Sequence, residues 1–139
     1  MSDETTTGYG RISVAIVDDD ASVRAGLQRL CRAFDMSATT FASGQEFLAS
    51  LEAGVPPVDC LLLDAHMPHM TGAELQGHLA ARGVRIPTIV FTADDAPEMP
   101  VHYAAFDIVA FLRKPLSSED LLACLENAVR FGKDSASRR

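Results

Sequence analysis

Short apolar runs alternate along the chain with longer stretches in which apolar residues recur every three or four positions. Runs of four to eight residues are typical of buried strands, and the longer periodic stretches are typical of amphipathic helices. Strands and helices that alternate in this way predict right-handed crossovers and a parallel sheet. The pattern therefore predicts an α/β fold in three layers, a five-stranded parallel sheet with helices on both faces. The predicted strands are residues 12–17, 36–41, 58–63, 87–92 and 108–112.

Four of the intervening stretches have the features of regular helices. Asp20 or Ser22 can cap the first helix, Ser43 opens a short second one, and Ser118 starts the last. The remaining helix follows the third strand and stops at Gly83. The predicted apolar faces, in the order of the helices, are Val23, Leu27, Leu30, Cys31 and Phe34; Phe47, Leu48 and Leu51; Leu75 and Leu79; and Leu121, Leu125 and Val129.

The segment 94–106, where the alternation calls for a fourth helix, is less regular. It contains Pro97 and Pro100, and a proline inside a helix loses a hydrogen bond or clashes, at a cost of ~3 kcal/mol. We therefore expect a short or irregular fourth helix, with fast amide exchange across 96–105 and slow exchange across 121–129.

Length and charge narrow the classes of function. The 139 residues suffice for one core, so we predict a single domain over 11–132, a flexible N-terminal segment over 1–10, and a C-terminal tail or truncated linker over 133–139. Acidic residues outnumber basic ones by 19 to 12, and the net charge of −7 argues against direct nucleic-acid binding. No apolar stretch approaches the ~20 residues of a membrane span, and no signal peptide is evident.

The three cysteines are Cys31, Cys60 and Cys124, an odd number in apolar surroundings. Buried, reduced thiols are the expected state, in preference to a redox role. The cytoplasm is the compartment that this composition favours.

Polar side chains stand at the ends of four predicted strands: Asp18 and Asp19 after the first, Asp64 after the third, Thr92 on the fourth and Lys114 after the fifth. The carboxyl ends of parallel strands lie at one edge of the sheet, where ligands bind, so these side chains should converge. Carboxylates ~4 Å apart repel by ~1–4 kcal/mol, and a hard cation such as Mg²⁺ relieves that repulsion. A carboxylate can also be a nucleophile that forms an acyl phosphate, and Asp64 is the candidate.

These landmarks extend into short motifs: Asp18-Asp19, Asp64-Ala-His-Met-Pro68 with Thr71-Gly72, Thr92-Ala93, and Lys114-Pro115. In this order and spacing they resemble the receiver domain of two-component response regulators, over roughly residues 12–131. The resemblance implies a flavodoxin-like strand order, 2-1-3-4-5. It also implies a domain that is not an enzyme in the usual sense, since it promotes only its own phosphorylation and dephosphorylation.

The resemblance also implies a Mg²⁺ site. By this resemblance Asp19 and Asp64 ligate the ion directly, and Asp18 acts through a bound water. The backbone carbonyl of His66 completes the set of protein ligands.

For the phosphoryl group, the resemblance makes Asp64 the acceptor. It implies that Thr92 and Lys114 contact the phosphoryl oxygens, and that the bond between Lys114 and Pro115 is cis, which a proline tolerates. Phe111 matches the aromatic switch position of the family, which turns inward when Thr92 moves.

The partners that the resemblance implies are proteins. The phosphoryl donor would be a sensor histidine kinase or a histidine phosphotransfer protein. Output would pass to a downstream protein partner or to an effector domain missing from this chain, and a phosphorylation-linked homodimer is a further expectation. A membrane partner and direct contact with nucleic acid are not expected.

One rival interpretation is a phosphatase of the haloacid dehalogenase type, which also uses an aspartate, a Thr or Ser, a lysine and Mg²⁺. It would take Asp18 as the nucleophile and Asp20 as the acid/base. That class needs a further acidic pair at a strand end after the lysine, whereas here only Glu119-Asp120 follows, at a helix start.

A second rival interpretation is a metal-binding module at His66-Met-Pro-His69-Met70. Histidine and methionine suit copper. A solvent-facing loop is the favoured interpretation, because the segment follows a strand at the usual Met-Pro position of the receiver family.

Overall fold

Five parallel strands and four helices make up the computed structural model, which describes residues 12–55, 58–92, 103, 106, 108–114 and 117–137. In chain order they are β1 Ser13–Val17, α1 Ala21–Ala33, β2 Ser37–Phe41, α2 Gly44–Glu52, β3 Cys60–Asp64, α3 Gly72–Ala81, β4 Thr88–Thr92, β5 Ile108–Arg113 and α4 Ser118–Ser137. The strands form one sheet in the order β2-β1-β3-β4-β5, with parallel pairing between all neighbours. This confirms the predicted α/β fold and its strand order.

The centre of the sheet is the most buried part of the described structure. Every residue of β3 and β4 is buried, whereas the edge strands β2 and β5 are partly exposed along their length. Apolar side chains on both faces of a central strand explain why β3 and β4 are continuous apolar runs instead of alternating ones. The carboxyl ends of these strands are consequently shielded from solvent, which matters for the polar residues found there.

Two apolar layers enclose the sheet. One face packs against α1 and α4, with Leu27, Cys31, Leu121 and Leu125 among its buried side chains. The other face packs against α2 and α3, with Phe47, Leu48, Leu75 and Leu79 buried there. These are the side chains predicted to form the apolar faces of the helices, and their burial confirms that prediction. Of the four helices that the structure describes, none has both the length and the apolar character needed to cross a membrane.

Side-chain caps define where the first three helices begin. The Asp20 carboxylate accepts from the backbone N–H groups of Ser22 and Val23 at the start of α1, and Ser43 caps α2 through the N–H of Glu46. Both caps were predicted from the sequence. At α3, Thr71 and Glu74 exchange hydrogen bonds in a capping box, so that helix starts at a defined residue directly after the β3 loop.

The last helix is longer than predicted. A polar tail was expected over 133–139, whereas α4 continues to Ser137. A glycine such as Gly132 inside a helix is less favourable than alanine by only about 1 kcal/mol of helix-forming free energy. No proline follows it, so the sequence contains no strong signal that ends the helix at this point. The predicted irregular fourth helix over 94–106 lies outside the described residues except for Tyr103 and Phe106, and so does Pro115.

Gly72 occupies the closest approach between α3 and the end of β3. A Cβ at this position would collide with the Tyr103 hydroxyl and lie 3.0 Å from the backbone oxygen of Asp64, whereas a Cβ at Gly77, on the same helix, would meet nothing within 4 Å. We expect Gly72→Ala to lower the free energy of unfolding by about 1–3 kcal/mol. Gly77→Ala, the matched control, should raise it by about 0.5–1 kcal/mol. Urea titrations check both, and equal effects of the two substitutions would contradict the close approach.

Candidate functional site

Three carboxylates meet at the carboxyl edge of the sheet. Asp18 follows β1 directly, and Asp64 is the last residue of β3. Asp18 is fully buried and Asp64 is 4% exposed, whereas Asp19 is exposed. Each of the three offers a carboxylate oxygen within 4.8 Å of the others. The predicted convergence of these residues is therefore present, with two carboxylates inside the protein and one facing solvent.

Within the described part of the chain, Lys114, which follows β5, provides the compensating positive charge. Its Nζ lies 3.2 Å from Asp18 Oδ2 and 3.8 Å from Asp64 Oδ1. The ammonium also lies 5.2 Å from the centroid of the Phe91 ring, a distance at which a cation is attracted to the ring face. Its backbone N–H donates to the Thr92 carbonyl at 2.9 Å. One lysine, at the end of β5, thus faces both buried carboxylates, which lie at the ends of β1 and β3.

Asp18 is held by its backbone as well as by its side chain. Oδ1 accepts from the Asp20 N–H at 2.8 Å, and the backbone N–H donates to the Phe41 carbonyl at 3.1 Å. The Asp18 carbonyl accepts from the Arg24 guanidinium at 2.7 Å. Arg24 was not predicted from the sequence, because its signal is a basic residue one turn into a helix, a common feature of helices that contact solvent. These bonds leave Asp18 little freedom to move.

The charge on Asp64 is costly in this position. The pKa of Asp64 is raised from the ordinary 3.8 to about 7, first by burial and then by the neighbouring Asp18 carboxylate. Hydrogen bonding from the His66 N–H, at 3.2 Å, and the Lys114 ammonium act in the opposite direction but do not cancel the rise. Two buried carboxylates that share one lysine carry an excess negative charge. A divalent cation coordinated by oxygen ligands would offset that charge, so the donor set fits Mg²⁺.

The remaining predicted site residues lie around this cluster. Thr92 is the last residue of β4 and is 5% exposed, next to the strand that ends at Asp64. The His66 side chain is exposed in the loop after β3. Phe111 lies on β5, where 38% of its surface is exposed. Their roles in binding or switching stay predictions.

The phosphatase interpretation required Asp20 as a free acid/base. Its carboxylate instead accepts from the Ser22 hydroxyl and from the backbone N–H groups of Ser22 and Val23. These hydrogen bonds lower the pKa of Asp20, and the bond from the Ser22 side chain has the largest effect. A general acid at neutral pH needs a raised pKa, so this geometry disfavours the phosphatase interpretation.

The copper interpretation required His66, His69 and the neighbouring methionines to present one set of ligands. Met67 and Met70 are buried at 6% and 9% exposure within the apolar cluster beneath α2 and α3, while His66 and His69 are exposed. Thioethers and imidazoles thus point to opposite sides of the loop. The favoured interpretation, a solvent-facing loop anchored by methionines, agrees with this arrangement.

The cysteines are free thiols. Burial raises the pKa of Cys31 to about 11 and that of Cys60 further still, and it also raises the pKa of the half-buried Cys124. A thiol that stays protonated is a poor nucleophile, which agrees with the predicted structural role.

Comparison with known proteins gives one consistent family. The sequence-family model that describes the response regulator receiver domain matches residues 14–126 of this chain. The transcriptional regulatory protein TdiR of Thauera aromatica is 33% identical over 97% of this chain, and the DNA-binding transcriptional regulator NtrC of Salmonella typhimurium is 36% identical over 84%. The chain spans 58% of the length of TdiR and 24% of that of NtrC.

Solved structures give the same result for the fold. A response regulator receiver protein from Burkholderia phymatum superposes with a TM-score of 0.76 at 36% identity, covering 85% of this chain and 94% of the other. The response regulator StyR superposes with a TM-score of 0.79, also at 36% identity, covering 91% of this chain and 63% of the other.

The raised pKa of Asp64 predicts a stability effect with a defined sign. Between pH of about 4 and 7 the folded state holds a proton that the unfolded state releases, so stability falls as the pH rises through this window. Without divalent cations, Asp64→Asn should raise the free energy of unfolding at pH 8 by about 1–3 kcal/mol and flatten the pH dependence between 4 and 7. Denaturant titrations in a chelator measure both quantities. Asp59→Asn, at an exposed carboxylate that accepts from the Ser13 N–H, is the control, and an equal gain there would refute the argument.

Proposed function

Because the chain belongs to the response regulator receiver domain family, we propose that Asp64 accepts a phosphoryl group in the presence of Mg²⁺. One observation carries the proposal. Asp64 is a buried carboxylate at the end of the central strand, next to two further carboxylates and to the Lys114 ammonium. The donor is a sensor histidine kinase or a histidine phosphotransfer protein, as the family relationship suggests.

The Mg²⁺ ion is held by Asp19 and Asp64 directly, by Asp18 through a water, and by the His66 carbonyl. The exposed Asp19 supports this assignment, since it is the carboxylate through which a hydrated ion can enter from solvent. Asp18 already shares one oxygen with Lys114 and the other with the Asp20 N–H, which favours an indirect role. When bound, the ion supplies positive charge against the carboxylates and the incoming phosphoryl oxygens.

Transfer to Asp64 forms an acyl phosphate. A carboxylate oxygen of Asp64 bonds to phosphorus while the bond from phosphorus to the donor histidine nitrogen breaks, and the electron pair leaves on that nitrogen. Lys114 already lies within 3.8 Å of Asp64, so its ammonium can pair with a phosphoryl oxygen after transfer. The Thr92 hydroxyl is assigned to a second phosphoryl oxygen, from the end of the adjacent strand. Beyond this self-directed chemistry we assign no reaction on a separate substrate.

Output passes to another protein surface. The relatives TdiR and NtrC are described as transcriptional regulators, and we propose that this domain, over residues 11–132, acts on an effector domain or a separate protein partner in the cytoplasm. Phe111 is partly exposed on edge strand β5, which supports this edge of the sheet as the surface that changes on phosphorylation. A phosphorylation-linked homodimer is the alternative use of the same edge. The net charge of −7 speaks against direct contact of this domain with nucleic acid or with anionic membranes.

Labelling tests the acceptor. With acetyl phosphate and Mg²⁺, the parent chain should gain one phosphoryl group by intact mass, and Asp64→Asn should gain none, because the amide cannot form an acyl phosphate. Asp59→Asn should label like the parent. If Asp64→Asn is labelled to the same extent as the parent, the assignment of the acceptor is wrong.

Metal affinity separates the adjacent aspartates. Asp19→Ala should weaken Mg²⁺ binding by at least 10-fold, a loss of about 1.4 kcal/mol or more, because a ligand oxygen and a charge are removed together. Without metal it should unfold no more easily than the parent. Asp20→Ala should keep the Mg²⁺ affinity within about threefold, yet lose about 1 kcal/mol of stability with the α1 cap. Calorimetric titration with Mg²⁺ and denaturant curves give the two numbers, and the reverse pattern would exclude Asp19 as a ligand.

A further inference from the structure

Tyr103 is buried between the acceptor site and the edge of the sheet. Only 2% of its surface is exposed, and it packs in a small apolar cluster with Ala65 and Val90. Its ring meets the Phe111 ring edge-on, with centroids 5.7 Å apart and an interplanar angle of 69°. Aromatic pairs favour this T-shaped geometry. The buried Tyr103 ring is therefore in contact with the half-exposed ring on β5.

The hydroxyl end of Tyr103 reaches the first turn of α3. It lies over the Gly72 Cα, where an added Cβ would collide with it, and it is hydrogen-bonded to the backbone of Ala73. The neighbouring N–H groups have other acceptors, since Gly72 donates to the Ala65 carbonyl at 3.2 Å and Glu74 to Thr71 Oγ1 at 3.1 Å. The phenol thus completes the set of acceptors for the first turn of α3, where N–H groups lack partners within the helix.

The first turn of α3 is also part of the environment of Asp64. The Asp64 carbonyl would lie 3.0 Å from a Cβ on Gly72, and the Gly72 N–H donates to the carbonyl of Ala65, the residue that follows Asp64, at 3.2 Å. Burial raises the pKa of Tyr103 to about 12, and the Asp64 charge acts in the same direction. The Tyr103 hydroxyl therefore lies within the electrostatic influence of Asp64 and contacts the backbone next to it.

We propose that Tyr103 is a positioning residue that couples the acceptor site to Phe111, its hydroxyl anchored on α3 and its ring holding the β5 aromatic. The proposal rests on the proposed phosphorylation of Asp64. Added negative charge at Asp64 changes the field at the buried phenol and the position of the first turn of α3 that it contacts. Because the ring is rigid and buried, a shift of the hydroxyl end moves the end that contacts Phe111.

The coupling can be read at position 111, because the chain contains no tryptophan. Phe111→Trp keeps an aromatic ring there and adds a single fluorophore. In this background, acetyl phosphate with Mg²⁺ should shift the tryptophan emission. Tyr103→Leu, which lacks both hydroxyl and aromatic ring, should lose at least four-fifths of that shift, and Tyr103→Phe should lose about half. Phe106→Leu, a substitution in the same apolar cluster, is the control and should retain the shift.

Labelling of Asp64 is measured in every variant by intact mass. A labelled Tyr103→Leu protein with an undiminished emission shift would overturn the coupling, as would a labelled parent background with no shift at all. Both results would leave Asp64 as the acceptor. Failure to label the parent would instead overturn the proposed function.

A second measurement needs no phosphorylation. Tyr103→Phe preserves the ring and removes the acceptor of the Ala73 N–H, so amide exchange at Ala73 should accelerate roughly 3- to 10-fold by NMR. Exchange at Leu79, at the far end of the same helix, should be unchanged. Equal exchange at Ala73 in both proteins would show that the hydroxyl does not anchor α3, and the proposal would fail even if Tyr103→Leu could not be folded.

Discussion

Two buried carboxylates sharing one lysine are the interaction on which the rest of this structure depends. Asp18 and Asp64 carry two negative charges into the edge of the sheet, and among the described residues the Lys114 ammonium is the cation that faces both. Bringing like charges together at low solvent exposure is unfavourable unless other groups hold them. The fold therefore has to supply strong positional constraints, and the hydrogen bonds of Asp18 to Asp20, Phe41 and Arg24 are those constraints.

The position of these groups follows from the packing of the sheet. Because β3 and β4 are buried on both faces, their carboxyl ends are poor in water, and the pKa of Asp64 rises to about 7 for that reason first. In the metal-free protein the positive charge of Lys114 offsets the negative charge of the carboxylates only in part. A cation or a phosphoryl group at Asp64 changes this net charge, and the site is expected to respond for that reason. Stability is thus reduced where chemistry is expected, a common compromise at functional sites.

The contacts of Tyr103 extend this balance beyond the carboxylates. The side chain connects the start of α3 with Phe111 on the edge strand, so the helical turn beside Asp64 and the partly exposed aromatic of β5 contact the same rigid ring. The capping box at Thr71 and Glu74 holds the other side of the same helical turn. Hydrogen bonds therefore hold the backbone next to Asp64, whereas the contact between Tyr103 and Phe111 is one of packing alone. A change at Asp64 is expected to reach the edge strand through that packing contact.

The sequence by itself determined the parallel α/β sheet, the caps at Asp20 and Ser43, and the convergence of Asp18, Asp64 and Lys114, whereas the strand order followed from the resemblance to the receiver family. The spacing of apolar residues and the polar residues at strand ends are local signals in the sequence. Because parallel strands place their carboxyl ends at one edge of the sheet, those polar residues come close together. Only the tertiary structure decided that Asp18 is fully buried, that Arg24 binds its carbonyl, and that Tyr103 fills the space between α3 and Phe111. Burial and such long-range contacts depend on how layers pack, and no local pattern around a single tyrosine or arginine records which neighbours the fold will bring to it.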